Sequence, residues 1–590
     1  MGYDEGMIAA RGTDFDVILI SGEPYADHPL SAVGVIARVL DAKGFRVGVI
    51  GRPGWKSDAD FVKLGRPRLF FGITSGSVDS MLVNYTPLKR ERSRDRNAPR
   101  MEGIPDRAVL VYSNKIKHLF PGVPVVLGGV EASLRRFAHY DYWDTKVRRS
   151  LLLDSRADIL VYGPGEIQAV EVARRLGRGR DLAGIPGTCV VRQQAPEGFK
   201  IMPSYDDVAG NPAAFNRAQR LYSNRTPLAQ AHANRFVLQY PAPSYTTADL
   251  DWIYGLPFSR VIPADFPELG MARFSVVTHR GCVGGCSFCA LSLLQGDRIV
   301  SRSEESILSE IRRMVRHPEF KGVIDDLGGP TANMYGMDCP AGGAKDPGVN
   351  HFSEQGVEER SGRRRRSPVP EETNRSDQEG DGDPEGCGDE AQLDRDCSSD
   401  ACLGCRKLDR SHRRLVSLLR KARAIPGVKK VFVRSGIRYD LAMESPEYVR
   451  ELCDHHVSGL LKIAPEHVSP KVLKLMNKAG GALDEFREEF RRLGRGRKQG
   501  LRYYFMVGHP GTSEKEAREL ARYLSGLRRE AGDPVEGVQI FTPTPMTRST
   551  AMYWTGEDPA SGEKVYVPKT FQEKKAQKRM CLQSVGREQD

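Results

Sequence analysis

The sequence Arg280-Gly-Cys-Val-Gly-Gly-Cys-Ser-Phe-Cys289 directly follows a short apolar run, residues 274–278. Its cysteines, Cys282, Cys286 and Cys289, are separated by three and then two residues. Iron–sulfur clusters normally take four cysteines. Three thiolates from one short loop can bind three irons of a [4Fe-4S] cluster and leave the fourth iron without a protein ligand. Because a metal site with an open position is typical of catalysis, the loop predicts a catalytic iron–sulfur centre.

A structural zinc site is the alternative for this loop, with His279 or a distant cysteine as the fourth ligand. Zinc-binding cysteines usually occur as pairs separated by two residues, and the spacing between Cys282 and Cys286 departs from that pattern. Gly284 and Gly285 between them let the backbone pass close to a bulky ligand. The spacing therefore favours an iron–sulfur cluster.

The chain has 590 residues and a net charge of +12, and this length predicts more than one domain. No secretory signal is visible at the start, and the apolar run of residues 32–36 is too short to span a bilayer. Eleven unevenly spaced cysteines therefore indicate metal binding in a reducing cytoplasm rather than disulfides. Basic residues are interleaved with acidic ones, which predicts a solvated surface and leaves RNA as an unsupported alternative partner.

Residues 1–190 alternate short apolar runs with helical patterns, which predicts a doubly wound, Rossmann-like α/β domain. Several predicted strands end in glycine-containing turns, at residues 74–76, 128–129 and 163–165. Ligands of such sheets bind at the carboxyl ends of the strands. These glycines therefore indicate either the close approach of a ligand or tight turns alone. Residues 191–268, rich in proline and asparagine, are interpreted as a connector.

Residues 269–550 contain six further predicted strands separated by helical patterns, which predicts a partial (β/α)6 TIM-type barrel with its active site at the carboxyl ends of the strands. Ser303 is the predicted N-cap of one barrel helix. Residues 341–396 have few large apolar side chains and are predicted to be a disordered insertion. Residues 551–590 are predicted to form a basic C-terminal tail.

Polar and glycine residues end the predicted barrel strands. Gly328 and Gly329 end the second strand, where they either expose backbone groups to a ligand or form a tight turn. Glu466 ends the fourth strand, and its carboxylate could accept hydrogen bonds from ribose hydroxyls. Arg434 and Arg438 follow the third strand and could bind an anionic group, with a surface ion pair as the alternative.

A second set of cysteines flanks the predicted insertion: Cys339, Cys397, Cys402 and Cys405. Four thiols around a flexible segment suit a closed metal site, which would hold an auxiliary iron–sulfur cluster or zinc. Unligated thiols are the alternative, because this spacing is only moderately specific.

The cysteine loop, with Phe288 before its last cysteine, resembles the signature loop of radical S-adenosylmethionine (SAM) enzymes. Together with the motifs at residues 326–335, 435–440, 461–467 and 541–546, it makes the chain resemble the YgiQ-type radical SAM proteins over nearly its whole length. The resemblance implies a [4Fe-4S] cluster on the three loop cysteines and bound SAM. It also implies an electron donor of the flavodoxin or ferredoxin kind.

The resemblance further assigns residues to SAM: Phe288 near the adenine, and Gly328, Gly329 and Glu466 around the rest of the molecule. It implies an N-terminal domain similar to cobalamin-binding modules. The D-x-H-x-x-G signature of those modules is absent, since the only comparable pair is the adjacent Asp27-His28. Binding of His-ligated cobalamin is therefore doubtful.

The expected function is reductive cleavage of SAM to give a 5′-deoxyadenosyl radical that acts on an unknown substrate. Methyl or methylthio transfer within the same class is an alternative. A non-catalytic iron–sulfur protein for redox sensing or metal binding is a second alternative from a different class.

Overall fold

The computed structural model describes residues 14–92, 103–264, 267–270, 272–339, 350–353, 402–478, 480–531 and 535–586. These residues form two α/β units, a nine-stranded sheet followed by an open arc of parallel strands. Among the helices described, none has the length and apolar character needed to cross a membrane.

The N-terminal sheet has the strand order β2-β1-β3-β4-β7-β8-β11-β10-β9. Its strands are β1 (Val17–Ser21), β2 (Val47–Gly51), β3 (Phe70–Thr74), β4 (Val125–Leu127), β7 (Ile159–Val161), β8 (Thr188–Arg192), β9 (Lys200–Met202), β10 (Leu228–His232) and β11 (Arg235–Gln239). Strands β1–β4 and β7 are parallel, as predicted. Every residue of β1 is buried, because helices cover both faces of such a sheet.

The helices of this unit connect and cover the strands. They are Ala32–Ala42, Ala59–Val62, Ser80–Asn84, Ala108–Leu119, Gly129–Ser133, Leu151–Asp154, Glu166–Gly177, Tyr205–Gly210, Pro212–Leu221 and Thr247–Gly255. A small antiparallel hairpin, β5 (His139–Asp141) and β6 (Lys146–Arg148), lies apart from the large sheet. The hydroxyl of Ser31 accepts a hydrogen bond from the amide of Gly34 and caps the first helix.

The segment interpreted as a connector, residues 191–268, belongs in large part to the N-terminal sheet, so that interpretation is corrected. Strand β8 crosses the predicted boundary at residue 190, and β11 pairs with it antiparallel, Val237 opposite Val191. Strands β10 and β11 form a hairpin whose turn places Ala233 at a φ of 52°. The prolines and asparagines between these short strands concealed them, because the apolar runs are brief and separated by turn residues.

The second unit consists of parallel strands in the order of the chain. They are β12 (Ser275–Val277), β15 (Val323–Ile324), β16 (Asp326–Gly328), β17 (Lys430–Val431), β18 (Leu460–Glu466), β19 (Gly500–Val507) and β20 (Val535–Ile540). β12 pairs with β16, β15 with β17, and β18 with β19 and β20. A bridge between Ile437 and Ile463 continues the arc from the third position to the fourth. These pairings produce the six-position partial barrel that the sequence predicts.

Two very short strands, β13 (His279–Arg280) and β14 (Val300–Ser301), pair antiparallel on either side of the cysteine loop. The helices of the unit are Pro267–Gly270, Leu291–Gln295, Glu304–Val315, Arg413–Arg423, Tyr439–Ala442, Pro446–Glu451, Pro470–Leu475, Leu483–Leu493, Glu514–Ala531, Arg548–Thr555 and Phe571–Ser584. The predicted cap is confirmed, since the hydroxyl of Ser303 accepts a hydrogen bond from the amide of Ser306 at 3.1 Å.

The predicted disordered insertion and the predicted basic tail both contain residues with described contacts. Most of residues 341–396 lies outside the described residues, but within residues 350–353 Phe352 stacks on Trp252 with a centroid distance of 4.3 Å. The predicted basic tail forms the helix Phe571–Ser584, in which Lys574 and Cys581 are buried. In both places a few buried side chains order a segment whose overall composition is polar.

Candidate functional site

The cysteine loop leaves β13 at Gly281 and runs to the helix Leu291–Gln295. Gly281 has a φ of 88°, and a Cβ there would overlap the carbonyl of Arg298, so the loop requires glycine at this point. The amide of Cys282 donates to the carbonyl of Gly296 at 3.1 Å. These constraints fix the start of the loop beside the carboxyl end of β12.

The structure places the thiols of Cys282 and Cys286 beside Gly284, and Cys289 lies close enough to interact electrostatically with both. A Cβ at Gly284 would lie 3.3 Å from the Sγ of Cys282 and 3.8 Å from the Sγ of Cys286. Burial raises the pKa of the Cys289 thiol to about 12. Burial also raises the pKa of Cys286, against the opposing influence of Lys478 and then Arg438. Bare thiolates are therefore unfavourable here, and bound metal would supply the compensating positive charge.

Within the part of the chain that the structure describes, no three His, Cys, Asp or Glu side chains converge on one metal-ion position. A cubane cluster does not require its ligands to converge on one position, because each cysteine binds its own iron and the sulfurs stay apart. The three thiols of the loop lie close enough to interact with one another, and two of them flank Gly284. The donor set of the loop therefore fits an iron–sulfur cluster.

Residues from two neighbouring strand ends contact the cysteine thiols. Thr331, in the turn after β16, places its Oγ1 3.6 Å from the Sγ of Cys282. Arg438, after β17, places Nη1 3.9 Å from the Sγ of Cys286. The same guanidinium binds the carboxylate of Asp440, with 2.6 Å between Nη2 and Oδ2. The ion pair that the sequence left as an alternative is therefore present for Arg438, and its binding of an anionic ligand stays a prediction.

Glu466 lies at the end of β18 and close enough to the loop to interact electrostatically with Cys286 and Cys289. Its φ of 67° is in the left-handed region, which is strained for a residue other than glycine. Burial raises the pKa of its carboxyl group, and Lys478, 3.5 Å away, opposes that shift. The strained backbone and the buried ion pair hold this carboxylate toward the cysteine loop.

Lys478 and its neighbours were missed in the sequence because no motif marks them. The side-chain amide of Asn477 donates to the carbonyl of Gly285 at 2.9 Å, and the amide of Ser287 donates to the carbonyl of Met476 at 2.9 Å. Lys478 Nζ also hydrogen-bonds the carbonyl of Ala464. The segment after the helix Pro470–Leu475 therefore holds the cysteine loop by hydrogen bonds. It also brings the cationic side chain of Lys478 close to the loop.

Phe288 packs against an apolar cluster. Its ring packs with Val472, Leu473 and Met476 and lies 6.3 Å from the ring of His509. These contacts anchor the loop against the helix Pro470–Leu475. The assignment of Phe288 to the adenine of SAM stays a prediction.

Gly328 and Gly329 form the turn opposite the start of the loop. The carbonyl of Gly328 accepts a hydrogen bond from the amide of Thr278 at 2.8 Å. A Cβ at Gly329 would overlap the buried ring of His279. Both glycines also line a cavity of about 670 Å³ that reaches from this turn into the N-terminal unit. They therefore serve a tight turn and at the same time expose backbone to a ligand-sized space.

The second cysteine set is only partly described. Cys402 and Cys405 lie in one apolar cluster with Cys282, and all three are partly buried. Cys339 is described as a free thiol, and Cys397 lies outside the described residues. The second metal site therefore stays a prediction, with the added observation that two of its cysteines lie beside the first site.

The residues nearest to a cobalamin signature have other roles. The Nε2 atom of His28 hydrogen-bonds the carbonyl of Arg273 at 2.9 Å, and its Nδ1 accepts from the amide of Leu30 at 3.1 Å. Asp27 pairs with Arg38. Both ring nitrogens of the buried His28 are thus engaged, so this histidine is not an axial ligand and cobalamin stays doubtful.

An N-terminal α/β sheet, a partial parallel barrel and a C-x3-C-x2-C loop at its mouth together define a protein of the radical SAM class. In agreement, residues 4–277 match the family model described as Radical SAM N-terminal. The chain is 41% identical over 97% of its length to a UPF0313 protein of Methanosarcina acetivorans, covering 76% of that protein. It is 42% identical to a UPF0313 protein of Geobacter sulfurreducens, covering 98% of this chain and 91% of that protein. The chain belongs to the UPF0313 family, the YgiQ-type proteins that its motifs resemble.

Among solved structures, the chain is similar to the radical SAM methyltransferase TsrM from Kitasatospora setae, which was solved with cobalamin and a [4Fe-4S] cluster bound. The TM-score is 0.48 at 17% identity, covering 96% of this chain and 84% of that chain. It is also similar to the cobalamin-dependent enzyme OxsB, with a TM-score of 0.45 at 11% identity, covering 87% of this chain and 52% of that chain.

Proposed function

We propose that the protein is an enzyme that binds a [4Fe-4S] cluster and SAM and uses them to generate a radical at the mouth of its barrel. The observation that supports this proposal is the group of three interacting cysteine thiols, two of them beside Gly284, faced by the ends of three parallel strands. Cys282, Cys286 and Cys289 would hold the cluster. When bound, the cluster supplies one electron to SAM, whose reductive cleavage gives methionine and a 5′-deoxyadenosyl radical.

The chain's own residues would position SAM and exclude water. The turn at Gly328 and Gly329 offers backbone groups to the polar end of SAM. Glu466, ionised through its contact with Lys478, would accept hydrogen bonds from the ribose hydroxyls. The apolar packing around Phe288 holds the loop rigid and closes one side of the site. The reaction needs an external one-electron donor, and its substrate is unassigned.

Two cations face the cysteine thiols and would adjust the electrostatics of the bound cluster. Lys478 and Arg438 both lower the pKa of Cys286, against the larger effect of burial. A cluster with three thiolates carries negative charge, and nearby cations stabilise its reduced form most. The site is therefore arranged to accept an electron as well as to hold metal.

Replacement of Cys286 tests this proposal directly. After anaerobic reconstitution we expect the wild-type protein to show broad iron–sulfur absorption near about 400 nm and, with dithionite, to form 5′-deoxyadenosine from SAM. Cys286→Ala should lose both properties. Cys453→Ala is the matched control, because Cys453 is buried in the barrel core away from the loop. Equal iron content and equal 5′-deoxyadenosine formation in the two variants would refute the proposal.

A further inference from the structure

The C-terminal helix Phe571–Ser584 has two faces of different character. Its inner face is buried and consists of Lys574, Gln577 and Cys581. Its outer face carries Phe571, Lys575 and Arg579, which are all exposed. These three residues follow one another at intervals of four and therefore lie along one side of the helix. The outer face thus presents one aromatic ring followed by two cations.

Tyr566 adds a second ring to this surface. Its hydroxyl donates a hydrogen bond to the carboxylate of Glu573 at 2.7 Å, and that carboxylate also accepts from the hydroxyl of Thr570 at 2.6 Å. Tyr566 and Phe571 are 44% and 41% exposed, and within the part of the chain that the structure describes they are the only exposed Phe, Tyr or Trp residues. We call Tyr566, Phe571, Lys575 and Arg579 the aromatic–basic stripe.

The cations of the aromatic–basic stripe have no acidic partner. Lys575 and Arg579 form no ion pair with any residue that the structure describes. On the neighbouring helix, Glu514–Ala531, the exposed Arg518 instead pairs with Glu514. Positive charge that is left unpaired on a surface attracts polyanions. The stripe therefore combines accessible rings with charge that is available to an anionic partner.

The stripe lies beside the mouth of the barrel. The carbonyl of Tyr566 accepts a hydrogen bond from the amide of Gly511 at 2.7 Å, and the side chain of Gln577 accepts one from the amide of Gly508 at 2.9 Å. Both glycines directly follow β19, so these contacts are made at the carboxyl end of a barrel strand. Active sites of such barrels lie at these ends. A partner bound to the stripe would therefore lie near the candidate active site.

We infer that the aromatic–basic stripe binds single-stranded RNA. Proteins bind single strands by combining cations, which contact the phosphates, with aromatic rings, on which the bases stack. Tyr566 and Phe571 supply the rings, and Lys575 and Arg579 supply the cations. RNA presents unpaired bases in its loops and ends, whereas the bases of a duplex are stacked on one another and cannot reach such rings. The binding surface is independent of the proposed function, and only the delivery of RNA to a radical rests on it.

Fluorescence anisotropy of the full chain with a labelled uridine oligonucleotide of about 12 residues tests this inference. We expect saturable binding, with an affinity that falls as salt is added. Lys575→Gln combined with Arg579→Gln should reduce the slope of log K against log salt by about 1.4, because each phosphate contact contributes about 0.7. Phe571→Leu should weaken binding by about fivefold or more through lost stacking and should leave the slope unchanged.

Lys63→Gln combined with Arg66→Gln is the matched control, because it removes two exposed cations from the N-terminal unit. This control should bind RNA with the affinity and the salt slope of the wild type. No binding by the wild type, or equal binding by the two double variants, would overturn the inference.

Two further results would show that the stripe attracts anions without stacking bases. They are an unchanged affinity in Phe571→Leu, and competition by polyglutamate or by a duplex of the same length that is as effective as competition by the unlabelled single strand. Either result would overturn the inference, and the polyglutamate result would indicate an acidic protein as the partner. None of these measurements requires an iron–sulfur cluster, so failure of the proposed function would appear separately, as absent cluster absorption.

Discussion

Single residues around the cysteine loop have roles that their position in the sequence does not reveal. Lys478 holds the carboxylate of Glu466 at 3.5 Å and faces the thiol of Cys286. Burial disfavours the ionised form of Glu466 and raises the pKa of its carboxyl group, and Lys478 opposes that shift. The ammonium group of Lys478 therefore favours the ionised form of a buried hydrogen-bond acceptor.

Lys478→Met should weaken SAM binding by about tenfold, which corresponds to about 1.4 kcal/mol. Without Lys478 the pKa of Glu466 rises further, so the loss should be larger at pH 6.5 than at pH 8.5, because a lower pH favours the protonated carboxyl group. The reduction potential of the cluster should also become more negative, because a nearby positive charge is removed. Calorimetric titration with SAM at both pH values and a potentiometric titration measure these effects.

Lys471→Met is the control for that experiment. Lys471 lies on the helix Pro470–Leu475, is exposed and pairs with Glu516 at 3.3 Å. Its removal should leave both SAM affinity and reduction potential unchanged. Equal SAM affinity in the two lysine variants would contradict the role assigned to Lys478.

Among the secondary-structure elements, β13 and the helix Glu166–Gly177 join the cysteine loop to the N-terminal sheet. The guanidinium of Arg280, two residues before Cys282, binds Glu166 at the first turn of that helix, with 2.6 Å between Nη2 and Oε1. Tyr254 contributes a hydroxyl that accepts from Nε of Arg280 at 3.1 Å. A buried pair of this kind constrains the relative position of the two elements that it connects.

Arg280→Met should destabilise the protein by roughly 3–5 kcal/mol, because it leaves Glu166 buried without its cation. Glu166→Leu in the same chain should restore much of that loss, since no uncompensated charge remains. Thermal unfolding midpoints of both single variants and the double variant give the coupling energy between Arg280 and Glu166. A simple sum of the two single losses would show that the residues act independently.

A surface ion pair provides the comparison for the Arg280 and Glu166 variants. Arg192 and Asp181 are paired at 2.6 Å, but their side chains are 37% and 69% exposed. Arg192→Met should therefore change stability by no more than about 1 kcal/mol.

In the molecule as a whole, the C-terminal helix Phe571–Ser584 connects the barrel to the N-terminal unit. Lys574 on this helix is fully buried, and its Nζ donates to the hydroxyls of Tyr553 at 2.8 Å and Tyr142 at 3.2 Å. Burial lowers the pKa of this lysine to about 8, and Lys89 adds to the shift. The charged amine therefore costs stability in the folded state near neutral pH.

Lys574→Met should raise the thermal unfolding midpoint at pH 7, with a gain of up to roughly 3 kcal/mol reduced by the two lost hydrogen bonds. The folded pKa is about 8 and the unfolded pKa about 10.4. Between these values the unfolded wild-type chain binds the extra proton, so wild-type stability rises with pH. The advantage of the variant should therefore shrink from pH 8 to pH 10.5.

Lys575→Met, at an exposed position next in the chain, is the control for the pH series. It should show no pH-dependent difference from the wild type over this range. A constant advantage of Lys574→Met from pH 7 to pH 10.5 would contradict a buried titrating amine.

The sequence by itself determined the features that depend on neighbouring residues. Three cysteines within eight residues indicated the cluster loop, and the alternation of apolar runs with helical patterns indicated both α/β units. Ser31 and Ser303 marked helix starts because capping involves residues two or three positions away. Gly328 and Glu466 could also be placed from the sequence, because each lies at the end of a predicted strand.

Only the tertiary structure decided which distant residues meet. Glu166 and Arg280 are 114 positions apart and Cys286 and Arg438 are 152 apart, and no local pattern encodes such pairs. The strands within residues 191–268 became visible only through their pairing with β8 and with one another, because short strands are stabilised by partners rather than by their own sequence. Likewise, the sequence left Gly128 as a residue for a turn or for a ligand, and the structure shows an extended backbone there with no atom within 4 Å of a Cβ. Local chemistry thus specified the cysteine loop, and long-range packing specified the charges and the cavity around it.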